Sequence, residues 1–126
     1  MFEQDYMMRQ IKSWVRALLR MLFQIDTEDP NRELLESDQQ TTFSRMIDSV
    51  ENGSIGEAED MLFEHLEESG EQKDLKMALL FYSYLNEKSD KFLAANGFSR
   101  EEVKEGLSDV LSEYGLEDFA ELFLNQ

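Results

Sequence analysis

The sequence predicts an all-α protein of six or seven helices arranged as antiparallel hairpins, with a long amphipathic helix at its N-terminus. Three observations predict it. Apolar residues recur at helical spacing along most of the chain. Ser-x-x-Glu or Ser-x-x-Gln pairs stand before the apolar stripes, and Asn-Gly or Ser-Gly pairs stand after them. No segment alternates apolar and polar residues between hairpin turns. At 126 residues, with 41% hydrophobic content, the chain reads as one domain, 1–126, long enough to bury a core.

The opening, MFEQDYMMRQIKSWVRALLRMLFQ, is basic and greasy inside an acidic protein. On a helix over 2–24, Arg9, Lys12, Arg16 and Arg20 fall within an arc of about 80°. Met7, Ile11, Trp14, Val15, Leu18, Leu19 and their neighbours cover roughly 200° of the rest, whereas a surface helix needs an apolar stripe of about 100°. Such a helix, about 34 Å long, either threads the core or leaves apolar surface for a partner.

A linker follows, in which Asp29 is expected to cap a short helix with Pro30 at its first position and Leu34 and Leu35 inside it. A helical array is then expected over 37–126. Ser37 with Gln40 predicts a capping box ahead of Phe43, Met46, Ile47 and Val50, and Asn52-Gly53 ends that helix. Ser54 with Glu57 predicts a second box, before a face of Ala58, Met61, Leu62, His65 and Leu66 that Ser69-Gly70 closes. LKMALLFYSYL (75–85) is apolar nearly all round and should be buried on most sides. A short helix runs from Ser89 to Asn96-Gly97. Ser99 with Glu102 makes a third box, before Val103, Leu107, Val110, Leu111 and Tyr114, and Gly115 is the stop. In a last helix over 116–124, Phe119, Leu122 and Phe123 are placed to close the core.

A shift of 35 residues aligns Met46 with Phe81, Ile47 with Tyr82 and Val50 with Leu85, near the period of tetratricopeptide hairpins. The remaining consensus is missing and any helical hairpin could give the match, so a tetratricopeptide-like middle and a plain hairpin array both stay open.

Charge excludes more than it selects. Residues 1–25 carry a net +2 and the remainder −18, for a total of −16. An acidic body repels phosphate, which disfavours nucleic acid. With no cysteine, disulfides and thiolate zinc sites are excluded, and the chain suits a reducing cytosol. Glu3 and Asp5 stand where a secretory signal would be basic, and no apolar run nears the roughly 18 residues of a membrane span. The expected location is the cytoplasm.

Catalytic constellations are scarce. His65 is the lone histidine, which argues against Ser-His-Asp and Cys-His systems and most zinc sites; a partly buried structural histidine is the better reading. NGSIGE lacks the lysine and the strand of a phosphate loop, and DTEDPNRELLESD lacks the glycine and glutamate of a calcium loop. Carboxylate pairs abound by composition, with none marked by neighbours that would raise a pKa, and the run from Glu57 through Glu59, Asp60, Glu64, Glu67 and Glu68 to Glu71 reads as a solvated face. No cofactor, metal or enzymatic activity is expected.

The expected function is a non-catalytic helical module that binds an unidentified protein, through the first helix or a groove lined by Tyr82, Tyr84 and acidic side chains. The candidate surface on that helix is Met7, Ile11, Trp14 and Leu18 with Arg9, Arg16 and Arg20. Three readings compete for it: a spine sealed in the core, a homodimer contact, and a membrane-surface helix. Two-sided burial leans towards the dimer. A body of charge −18 is repelled from an anionic bilayer, so a peripheral membrane factor is the alternative rather than the first reading.

FEQDYMMRQIK, LLFYSYLNEKSD and GFSREEVKEGL together resemble a group of short bacterial proteins, mainly from anaerobic Gram-positive species, known as a domain of unknown function. The resemblance covers nearly the whole chain. It implies a small cytoplasmic helical protein, and it supplies no activity, cofactor or site.

Overall fold

A computed structural model describes residues 2–124, and the side chains of residues 5–122. Seven α-helices follow one another: α1 (Phe2–Phe23), α2 (Ser37–Glu51), α3 (Ile55–Ser69), α4 (Gln72–Asn86), α5 (Asp90–Ala95), α6 (Arg100–Glu113) and α7 (Glu117–Leu124), with one 3-10 turn over Arg32–Leu34. Among the described residues there is no strand. The all-α expectation holds, and the helix boundaries fall within a few residues of the predicted ones.

Helix α4 is the centre. Apolar on nearly every side, it buries ten of its 15 residues, and α1, α2, α3 and α6 all pack on it. Tight connections at Asn52–Ser54 and Gly70–Glu71 fold α2, α3 and α4 back on one another. Helix α1 lies along α4 and also meets α6. Ile11, Trp14, Val15, Leu18 and Leu19 are therefore at most 7% exposed, and two neighbours from within the chain cover most of the wide apolar arc, leaving Met21 exposed.

Buried polar groups tie these helices at one end. The Asn86 side-chain amide donates to the Met8 carbonyl at 2.9 Å, pinning α4 to α1. Arg100 is 2% exposed, and its guanidinium donates to the Asn86 and Lys88 carbonyls at 2.5 and 3.0 Å and pairs with Asp90 at 2.5 Å. It thus satisfies carbonyls orphaned at the end of α4.

The stops are as predicted. Gly53 after α2 and Gly115 after α6 have φ of 85° and 70°. In each case the next amide, from Ser54 or Leu116, donates to the carbonyl five residues back at 2.8 Å, the hydrogen bond of a left-handed helix end.

The starts need correction. Asn31, not Asp29, caps the first turn after the linker, its side-chain oxygen accepting from the Glu33 amide at 2.9 Å. Leu35 lies beyond that turn in extended backbone, drawn into the core at 5% exposure. Ser37 is already helical, Glu36 holds the cap position, and Gln40 instead donates its side-chain amide to the Leu35 carbonyl at 3.0 Å. Ser54 caps α3 by position only and makes no side-chain cap bond; its backbone amide and carbonyl bond Ser49 at the end of α2. The Ser99 and Ser89 caps form, accepting from the Glu102 and Phe92 amides. On α7, Ala120 and Phe119 face the core, while Leu122 is 57% exposed. Phe123 lies outside the described side chains.

Candidate interaction groove

The basic arc of α1 forms one wall of a groove whose floor is a strip running along the C-terminal half of α4 onto its cap residue. Leu80, Ser83 and Glu87 share that strip at i, i+3 and i+7. The far wall is α2, through Phe43 and Ile47, and the 25–31 linker crosses one side through Thr27, Glu28 and Pro30. Two cavities of about 440 and 470 Å³ run together here, sharing Lys12, Glu28, Pro30, Ser83 and Glu87. Each is within the size range of ligand pockets.

The two ends differ in chemistry. Towards α1, Arg9, Lys12 and Arg16 are joined by the hydroxyls of Ser13, Thr27 and Ser83. Towards α2, the nearly buried Phe43, Ile47 and Leu80 make an apolar shelf edged by Tyr84. Arg16 donates to Asp26 at 3.3 Å and to Glu28 at 3.5 Å, both on the exposed linker, and Lys12 stands 4.0 Å from Glu87. Exposed pairs of this kind are worth about 0–1 kcal/mol. Arg9 makes no ion pair among the described residues.

The predicted surface residues therefore separate. Ile11, Trp14 and Leu18 are sealed against α4 and α6, with the Lys104 ammonium 5.8 Å from the Trp14 ring centroid. Met7 is half-buried, packed at the edge of the core. Arg9 and Arg16 line the groove, and Arg20 is exposed outside it. Tyr82 is fully buried, so the expected groove lined by both tyrosines is not formed; Tyr84 alone reaches one. Phe43, Ile47 and Leu80 read from the sequence as core residues, and in the structure they have a second role as lining of the groove. The available signal was Ser83, a polar residue inside the apolar 75–85 stretch, with Glu87 four residues further on.

Two further polar clusters were not anticipated. Asp74 is 1% exposed in the first turn of α4, and its carboxylate accepts from Gln39 at 3.2 Å and from Ser69, and meets His65 Nε2 at 3.0 Å. Serine, histidine and aspartate are thus brought together in space. The wiring is different from a nucleophile relay: serine and histidine both bond the aspartate, whereas a relay needs histidine bonded to the serine. His65 is partly buried, as expected.

Glu59 departs from the solvated face assigned to it. It is half-buried and accepts from the Tyr82 hydroxyl at 2.6 Å. Burial pushes its carboxyl above the usual range despite that hydrogen bond, with Glu102, Asp109 and Asp60 adding repulsion. Burial and the Glu59 anion push the Tyr82 hydroxyl upwards in turn.

A central helix wrapped by its neighbours, open along one strip, makes this a small all-helical protein with a single-chain core and an amphipathic groove. A family described as a family of unknown function (DUF6483) matches residues 1–115, and the chain belongs to that family. The match includes every residue that lines the groove and ends before α7. No curated protein and no solved structure matches the chain.

Proposed function

We propose that the protein is a non-catalytic cytoplasmic interaction module that holds a segment of a partner protein in the α1–α4–α2 groove. The observation that carries this reading is the continuity of the two cavities, which gives an elongated site with a polar end and an apolar shelf. A short peptide uses such a site by seating an anchor side chain and fixing it with polar contacts at the rim. The α2–α3 hairpin with α4 stacked upon it is a tetratricopeptide-like arrangement in this proposal, with α1 added across its open side. The setting is a bacterial cytosol, in keeping with the resemblance to proteins of anaerobic Gram-positive species.

The other uses of α1 have less support. Membrane insertion would require Ile11, Trp14 and Leu18 to leave the core. A homodimer through α1 would draw on Tyr6 and Met21, its exposed large apolar side chains among the described residues.

Ser83 lines both cavities, so Ser83→Arg fills the groove without entering the core. Tagged protein with and without this change is to be recovered from the cytosol of the source cells, with circular dichroism confirming equal folding. Proteins retained by the parent and lost by Ser83→Arg are expected. An identical set retained by both would refute the reading.

A further inference from the structure

We infer that the 26–31 segment is a strap over the groove, latched by Arg16, so that ion pairing gates access to the site; its regulatory sense rests on the interaction-module reading above. The argument is what holds the segment down. Both of its ends are fixed. The Ile25 amide donates to the Leu19 carbonyl of α1 at 3.1 Å. At the other end Arg32 donates to the Ser44 hydroxyl of α2 at 3.1 Å, and Leu35 is buried in the core. Between those ends, the hydrogen bonds of 26–31 among the described residues stay within the segment and the turn that follows it, except for those from Arg16. Arg16 reaches Asp26 at 3.3 Å and Glu28 at 3.5 Å.

Arg16 is thus a single latch on a preformed piece. The Asn31 side-chain amide donates to the Asp29 carbonyl and carboxylate at 3.0 and 3.3 Å, and the Asp29 amide donates to the Thr27 hydroxyl at 3.1 Å. These bonds travel with the segment when it lifts. None of its side chains is fully buried, so little apolar area resists the movement. Charge is balanced while the strap is down: Arg9, Lys12 and Arg16 face Asp26, Glu28 and Glu87, and two of those three carboxylates belong to the strap. Arg16, Asp26 and Glu28 are all exposed, where ion pairs are weak and salt screens them. The latch therefore opens readily and does not seal the site. Glu28 and Pro30 line both cavities together with Ser83, so lifting the strap removes a wall from each cavity and bares the floor at Ser83.

The chain has no cysteine, so Ser83→Cys places one thiol on the groove floor. Ala78→Cys places one in the core on the same helix, where Ala78 is fully buried. The test is the rate at which each thiol reacts with dithiodipyridine, an uncharged reagent, in the intact protein. Each is measured alone, with Arg16→Gln, and with Asp26→Asn and Glu28→Gln together. Both latch changes are expected to speed the groove thiol about threefold at low salt, about 0.01 M. The latched protein should reach the same rate at about 1 M salt, while the core thiol stays slow throughout. The two latch changes shift the local potential in opposite directions, so a purely electrostatic effect on the thiol would move their rates apart. Such a split would overturn the strap. Equal groove rates with and without the latch would overturn it as well, and so would a core thiol that speeds up along with the groove thiol. Each of these failures leaves the groove reading standing, because that reading is decided by the proteins kept or lost with Ser83→Arg.

Discussion

Gly106 and Tyr82 meet so closely that one methyl group separates tolerance from damage. A Cβ on Gly106 would lie 2.4 Å from two ring carbons and the hydroxyl oxygen of Tyr82, and that side chain is fully buried, so it cannot swing away. Alanine in a helix interior gains about 1 kcal/mol over glycine, while overpacking a core costs about 1–3 kcal/mol. At this distance the clash wins. Gly106→Ala is expected to destabilise by about 2 kcal/mol in urea unfolding, and Tyr82→Leu in the same chain should recover part of the loss. A stabilised Gly106→Ala would show that the ring is not seated there. Glu59, the hydrogen-bond partner of that ring, carries a pH signature. Its folded carboxyl titrates above the ordinary 4.5, so the folded state holds the proton more tightly than the unfolded chain. The stability from that proton is complete below pH 4.5 and is lost as pH rises through the folded value. Glu59→Gln, which can still accept from Tyr82, should therefore melt higher than the parent at pH 7. The advantage should vanish below pH 4.5, as read by thermal melts of the two proteins side by side. These two contacts were invisible in the sequence because Glu59 sits in a run of acids and only the approach of α4 and α6 distinguishes it.

At the scale of elements, the ends of helices decide more than their middles. Most stops were legible because glycine after a helix answers a local steric demand for positive φ. The starts at Asn31 and Glu36 were not, because the burial of Leu35 set where the chain could turn. Helix α1 ends without glycine: Gln24 takes φ 57°, while the Gln24 and Ile25 amides donate to Arg20 and Leu19 at 3.1 Å. A left-handed conformation costs a non-glycine residue roughly 1–2 kcal/mol. Gln24→Gly is expected to stabilise by about 1 kcal/mol by denaturant midpoint, since the side chain's one bond, to the Met21 carbonyl, is exposed. Arg100 is the opposite case. Removing it strands the Asn86 and Lys88 carbonyls and the α4–α5 turn, and breaking a buried charged network by deleting one partner costs about 3–5 kcal/mol. Arg100→Met should lower stability by about that amount, and hydrogen exchange should localise the loss to the end of α4 and α5.

Over the whole molecule, two terms oppose one another: a core organised on α4 and a net charge of −16 on a 14.8 kDa chain. Self-repulsion weakens as salt shortens the screening length from about 30 Å at 0.01 M to about 8 Å at 0.15 M. The melting temperature should accordingly rise with sodium chloride over that range; a fall would mean that the surface ion pairs of Lys12 and Arg16 outweigh the repulsion. Trp14 tests the place of α1 in the same balance. Trp14→Ala is expected to cost about 3–5 kcal/mol and to leave the molar mass by light scattering unchanged, because the indole packs inside its own chain.

What the sequence determined by itself were the properties that depend on near neighbours along the chain: helical periodicity, glycine stops, the Ser89 and Ser99 caps, and the all-round apolar character of α4. Those are set by backbone sterics and by which faces must leave water. Tertiary structure decided the rest. It sealed Ile11, Trp14 and Leu18 from inside the chain, turned Ser83 and Glu87 into a groove floor, and lifted Glu59 out of the solvated face. It also gathered His65, Ser69 and Gln39 around Asp74. Each of these depends on residues far apart in the chain meeting at contact distance, and periodicity alone cannot say which two faces will meet.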